Sequence, residues 1–136
     1  MKVQKLFIVA LVATAVIFAS ELFAAETARA VQTVAGGGVT VKVAYLNPGA
    51  DDNPRFEVAL DTHSVGLDAY DLNKLAFLID GAGKAHAPAQ VENKGSGHHR
   101  QVVLIFPKLS PQAKEIELVI KNIAGVKERK FHWASQ

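Results

Sequence analysis

The chain has 136 residues, a formal net charge of +2, 49% hydrophobic residues, 21% charged residues and no cysteine. That length holds one domain with a sizeable core, and the charged fraction excludes a disordered tail or a fibrous repeat. Lack of cysteine excludes disulfide frameworks, thiolate zinc sites, iron–sulfur clusters and cysteine nucleophiles.

Lys2 and Lys5 precede an apolar run, Leu6 to Ala19, of 14 residues interrupted only by Thr14. A spanning helix needs about 20 apolar residues, so the run is short for an anchor. A positive start, a short apolar core and small residues after it describe a secretory signal peptide. Residues 1–25 are therefore expected to be the signal peptide, with the Ala28-Arg29-Ala30 step allowing cleavage as late as residue 30. The protein is expected in the periplasm or secreted, touching the membrane only during export.

Residues 26–38, ending in Gly36-Gly37-Gly38, read as a flexible linker, and residues 39–136 as the folded domain. Val39, Val41, Val43 and Tyr45 alternate with Thr40, Lys42 and Ala44, the period of a half-buried strand. Asn47-Pro48-Gly49 and Asp51-Asp52-Asn53-Pro54 form a turn region. Phe56, Val58 and Leu60 alternate in a second strand. After a longer loop, Leu75, Phe77 and Ile79 mark a third. Asp80-Gly81-Ala82-Gly83 makes a tight connection to a weaker strand around His86 to Val91.

Lys94-Gly95-Ser96-Gly97 breaks the chain again. Val102 to Phe106 is a continuous apolar run, as in a strand covered on both faces, and Pro107 ends it. Ile116, Leu118 and Ile120 alternate with polar or smaller neighbours, Ala124-Gly125 turns the chain, and Arg129 to Trp133 closes it. The expected core joins Val58, Leu60, Phe77, Leu104, Leu118 and Ile120. Asp68 to Leu75 has room for one helical turn only.

Some seven short strands within about 100 residues predict an all-β, antiparallel β-sandwich. In strand count and spacing, Val39 to Trp133 resembles the immunoglobulin-like or fibronectin-III-like modules of exported bacterial proteins. The combination of Leu60-Asp61-Thr62-His63-Ser64-Val65, Gly97-His98-His99-Arg100 and Arg129-x-Phe131-x-Trp133 is also similar to a group of small uncharacterised bacterial exported proteins. That likeness implies no activity.

In such a sandwich the second, fourth and sixth interstrand loops gather at one pole. These are residues 62–73, 92–99 and 122–127. His63, His98 and His99 are expected there with Asp61, Asp68 and Asp71, and His86 and His132 toward the other end. Imidazole suits zinc or copper, and a carboxylate can complete the ligand set. His63, His98, His99, Asp61 and Asp68 are therefore the candidate ligands of a divalent metal. Adjacent strand residues point to opposite faces, so His98 and His99 cannot both chelate on a regular strand. Arg100 is expected to pair with Asp61 or Asp68, or to meet an anion, and Tyr70 is a candidate binding aromatic.

Other chemistries find less support. No Gly-x-Ser-x-Gly elbow surrounds Ser64 or Ser96, and no phosphate loop or dinucleotide fingerprint occurs. The acidic turns lack the ligand pattern of a calcium loop. Residues 51–93 carry eight acidic and three basic side chains, and residues 94–136 the reverse. That balance suits cross-strand pairing rather than a nucleic-acid-binding patch. The expectation is thus an exported, non-enzymatic binding protein, with a divalent metal at its histidine pole. The alternative is an interaction or assembly module that joins another protein through a sheet edge.

Overall fold

A computed structural model of the protein describes residues 31–48, 52–110 and 115–134. The apolar run, both cleavage steps and the first part of the expected linker lie outside the described residues, as does Asp51. Among the described residues there are nine strands and one helical turn. They are β1 (Val31–Gly36), β2 (Val39–Tyr45), β3 (Arg55–Thr62), α1 (Leu72–Leu75), β4 (Ala76–Ile79), β5 (Ala85–His86), β6 (Gln90–Asn93), β7 (His99–Ile105), β8 (Glu115–Ile123) and β9 (Val126–Ala134). They form two antiparallel sheets, ordered β1-β2-β3-β7-β6 and β5-β4-β8-β9.

One core lies between the sheets. Val39, Val41, Val43, Phe56, Val58, Leu60, Val102 and Leu104 from the first face Leu78, Leu118, Ile120, Phe131 and Trp133 from the second. Phe56 is its centre: it stacks on Tyr45 at 4.6 Å and meets Trp133 at 5.2 Å and Phe106 at 5.8 Å between ring centroids. Strand β7 is buried over Val102, Val103 and Leu104; Val103, on the outer face, has Glu57 of β3 and Glu92 of β6 as its cross-strand neighbours.

Three expectations need correction. The segment expected as linker is structured from Val31 onward: β1 pairs with β2 along its length, from Val31 opposite Ala44 to Gly36 opposite Val39. The two glycines between them are a hairpin turn, with φ of +64° at Gly37 and +77° at Gly38. Such values favour glycine, and a Cβ on Gly37 would stand 2.2 Å from the Ala124 carbonyl oxygen. The β-branched Val31, Thr33 and Val34 were the strand signal in this segment.

Phe77 is not in the core. Ala76 and Leu78 point inward from β4, while Phe77 and Ile79 lie half-exposed on the outer face, where the Lys121 ammonium sits 5.1 Å from the Phe77 ring centre. The expected strand from His86 to Val91 is two strands in different sheets, β5 and β6. Pro88 lies between them and lacks the N–H that a continuous ladder needs.

Candidate functional site

The three loops do meet at one pole, and hydrogen bonds tie them together. Thr62 N–H donates to the His98 carbonyl at 3.0 Å, which carries the β3–β7 ladder one step into the loops. Gly97 N–H donates to the Asp68 carboxylate at 3.0 Å, joining residues 63–71 to the β6–β7 connection. Ala124 N–H donates to the Tyr70 hydroxyl at 3.0 Å, joining that same loop to the β8–β9 turn. Thr62 Oγ1 donates to the Gly38 carbonyl at 2.8 Å and accepts from Ser64 and Val65 N–H.

Arg100 organises this pole from beneath. It is 9% exposed, and its Nη1 donates to the carbonyls of Leu67 at 2.9 Å and Tyr70 at 2.5 Å. Its Nη2 donates to the Asn93 side chain at 3.1 Å. The expected pairing with Asp61 or Asp68 is thus replaced by neutral oxygens. The physical reason is orientation: Arg100 stands opposite Leu60 on the core face, whereas Asp61 points outward. Tyr70 packs against the core and acts as a strut. Tyr70→Phe should cost about 1–2 kcal/mol in chemical unfolding, by leaving the Ala124 N–H without its acceptor.

The candidate ligands separate. Asp61 and His99 face each other across β3 and β7, with Oδ1 2.6 Å from Nδ1, and their side chains are 50% and 75% exposed. Asp68 is turned to Gly97, and His63 and His98 are exposed on their loops. Among the described residues no three His, Cys, Asp or Glu side chains are grouped to hold a metal ion. The pole thus offers one two-residue pair.

The aspartates serve turns. Asp71 caps α1 by accepting from Asn73 N–H at 3.1 Å, and Asp80 accepts from Ala82 and Lys84 N–H at 3.0 Å each. Asp80 also meets His86 Nε2 at 2.8 Å. The His86 hydrogen bond, then that of Lys84, hold the Asp80 carboxyl below its ordinary pKa of 3.8. A lowered folded-state pKa adds stability above the unfolded value, and this is lost as pH falls through the folded one. Stability should therefore drop below about pH 4, and Asp80→Asn should flatten that acid limb in unfolding titrations.

The outer flanks of the sheets differ. On one side β5 and β6 are two and four residues long, with Pro88 between them. On the other, β1 has six residues and β9 nine. Gln32 spans the gap between these two: its side-chain amide donates to the His132 carbonyl and accepts from His132 N–H at 2.9 Å. Arg129, 1% exposed, donates to the Ile123 carbonyl at 2.9 Å and to the Gly36 carbonyl at 2.6 Å. Burial lowers its pKa from the ordinary guanidinium range, and its Nε has no hydrogen-bond partner among the described residues. Sequence reading missed this flank because the three glycines read as a joint. In comparison with known proteins, the chain matches no family model, no curated protein and no solved structure.

Proposed function

We propose that this is an exported, non-enzymatic β-sandwich of immunoglobulin-like topology that works as an interaction module, receiving an extended chain at the β1 edge. The topology supports the fold reading. With β2 to β9 taken as strands A, B, C, C′, D, E, F and G, the sheets run A-B-E-D and C′-C-F-G, preceded by one added strand.

The observation that carries the function is the contrast between flanks. Natural sheets blunt their edges with short strands, proline or charge. The β5–β6 flank has all three: short strands, Pro88, and Glu92 and Lys94 beside each other. Strand β1, Val-Gln-Thr-Val-Ala-Gly, has no charge and no proline, and nothing lies beyond it in its sheet among the described residues. Such an edge is a template for strand addition. A capped peptide of the β1 sequence is a direct probe. In protein dilute enough to be monomeric it should slow amide exchange at Val31, Thr33 and Ala35, and exchange unchanged there at saturating peptide would refute the reading.

A second reading rests on the 2.6 Å contact of His99 with Asp61. Two ligands make a half-site for zinc or copper, to be completed by water or another molecule. Zinc or copper should then raise the melting temperature, and His99→Ala should abolish that rise.

A further inference from the structure

We propose that the occupant of the β1 edge is β1 of a second copy, paired antiparallel about a two-fold axis through Thr33. The inference deepens the strand-addition reading above and rests on it.

The geometry sets the register. Gly36 and Val39 close a two-residue hairpin, so they form a hydrogen-bonded pair, and such pairs recur at Val34–Val41 and Gln32–Val43. The intervening residues Val31, Thr33 and Ala35 therefore direct their N–H and C=O groups away from β2. In an antiparallel partner these groups are matched only when residues of the same set oppose one another. Centring on Thr33 pairs all three: Val31 with Ala35 of the second copy, Thr33 with Thr33, and Ala35 with Val31. Six hydrogen bonds result, about two for each pair.

Three features favour this partner over an unrelated peptide. Any charge on a strand meets its own sign near a two-fold axis, and β1 has no charge. The strand is also fixed before association. Its core-facing positions are engaged by the Gln32–His132 pair, by Val34 against the core and by the Arg129–Gly36 bond, so less ordering is left for binding to supply. Finally, pairing consumes the edge. The other end of that sheet is the short, charged β6, so association closes at a dimer with one continuous ten-stranded sheet.

Because Thr33 would face itself, charge placed there tests the axis. The chain as recovered from its host should sediment as a concentration-dependent dimer. Thr33→Lys and Thr33→Glu should each weaken dimerisation by up to about fivefold. Mixing the two variants should restore it, with the gain fading at high salt. Restoration cannot come from misfolding or from contacts elsewhere. A dimer indifferent to both variants would overturn the proposal. A monomer at high concentration whose Val31, Thr33 and Ala35 amides are protected by the peptide would overturn the two-fold pairing and leave strand addition standing. A monomer without that protection would overturn both.

Discussion

Phe56→Ala should lower the unfolding free energy by about 3–5 kcal/mol, the range for truncating a buried phenylalanine. The ring is fully buried and touches both sheets, through Tyr45 on β2 and Trp133 on β9. Its removal leaves a cavity whose walls are paired strands, which cannot collapse without breaking ladders on either side. The loss also takes away three aromatic contacts, with Tyr45, Phe106 and Trp133, each worth about 0.5–1.5 kcal/mol beyond area. Phe77→Ala is the matched control: the same deletion on the outer face of β4 should cost under about 1 kcal/mol. Urea unfolding followed by Trp133 fluorescence measures both. A loss at Phe77 equal to that at Phe56 would mean that β4 turns its other face inward.

That pair of residues shows where sequence pattern decides orientation and where it does not. In β3, glutamate and aspartate alternate with Phe56, Val58 and Leu60, and the polar residues identify the outer face. In β8, Glu117 and Lys121 do the same for Leu118 and Ile120. Strand β4 reads Ala-Phe-Leu-Ile, and no polar residue marks a side. A one-residue shift exchanges the faces of such a strand at little local cost, so the choice falls to packing. Leu78 fills the space opposite Leu118, and Phe77 is left outside under Lys121. Strand β1 was hidden for a different reason. Gly37 and Gly38 are a hairpin turn whose left-handed conformation needs glycine, and a glycine run has the same composition whether it bends a ladder or joins two bodies.

The pole was legible in its topology and not in its chemistry. Loop spacing alone places residues 62–73, 92–99 and 122–127 together, and the bonds from Thr62 to His98 and from Ala124 to Tyr70 join them. Which polar groups meet depends on strand parity and loop path. Asp61 and His99 meet because they are register partners on the outer face. Asp68 does not join them, since its carboxylate is occupied by the Gly97 amide. Nor does the acidic count mark a ligand set, for Asp71 and Asp80 each turn one oxygen to backbone N–H groups and the other to a neighbouring side chain, Lys74 and His86.

The Gly-His-His-Arg segment should therefore divide sharply under mutation. Arg100→Ala should cost about 3 kcal/mol or more, whereas His98→Ala and His99→Ala should each cost under about 0.5 kcal/mol. The guanidinium lies between β6, β7 and the loop of residues 63–71, and it supplies donors to two carbonyls that have turned inward at Leu67 and Tyr70. Once it is gone the Tyr70 carbonyl loses that donor and the Leu67 carbonyl keeps only the Tyr70 N–H at 3.3 Å, and a hydrogen bond to a charged group is worth about 1.5–3 kcal/mol. Arg100→Lys should recover less than half of the loss, because one ammonium cannot reproduce the fork that spans Leu67, Tyr70 and Asn93. The histidine side chains lie in water, and the bond of His98 to Thr62 is made by its backbone carbonyl, which alanine retains. Hydrogen exchange locates the effect. Arg100→Ala should raise exchange at Tyr70, Ala124 and Gly97, whose amides depend on the loop that Arg100 holds, and leave β2 and β8 unchanged. Protection unaltered at those three amides would show that the loop is held without Arg100.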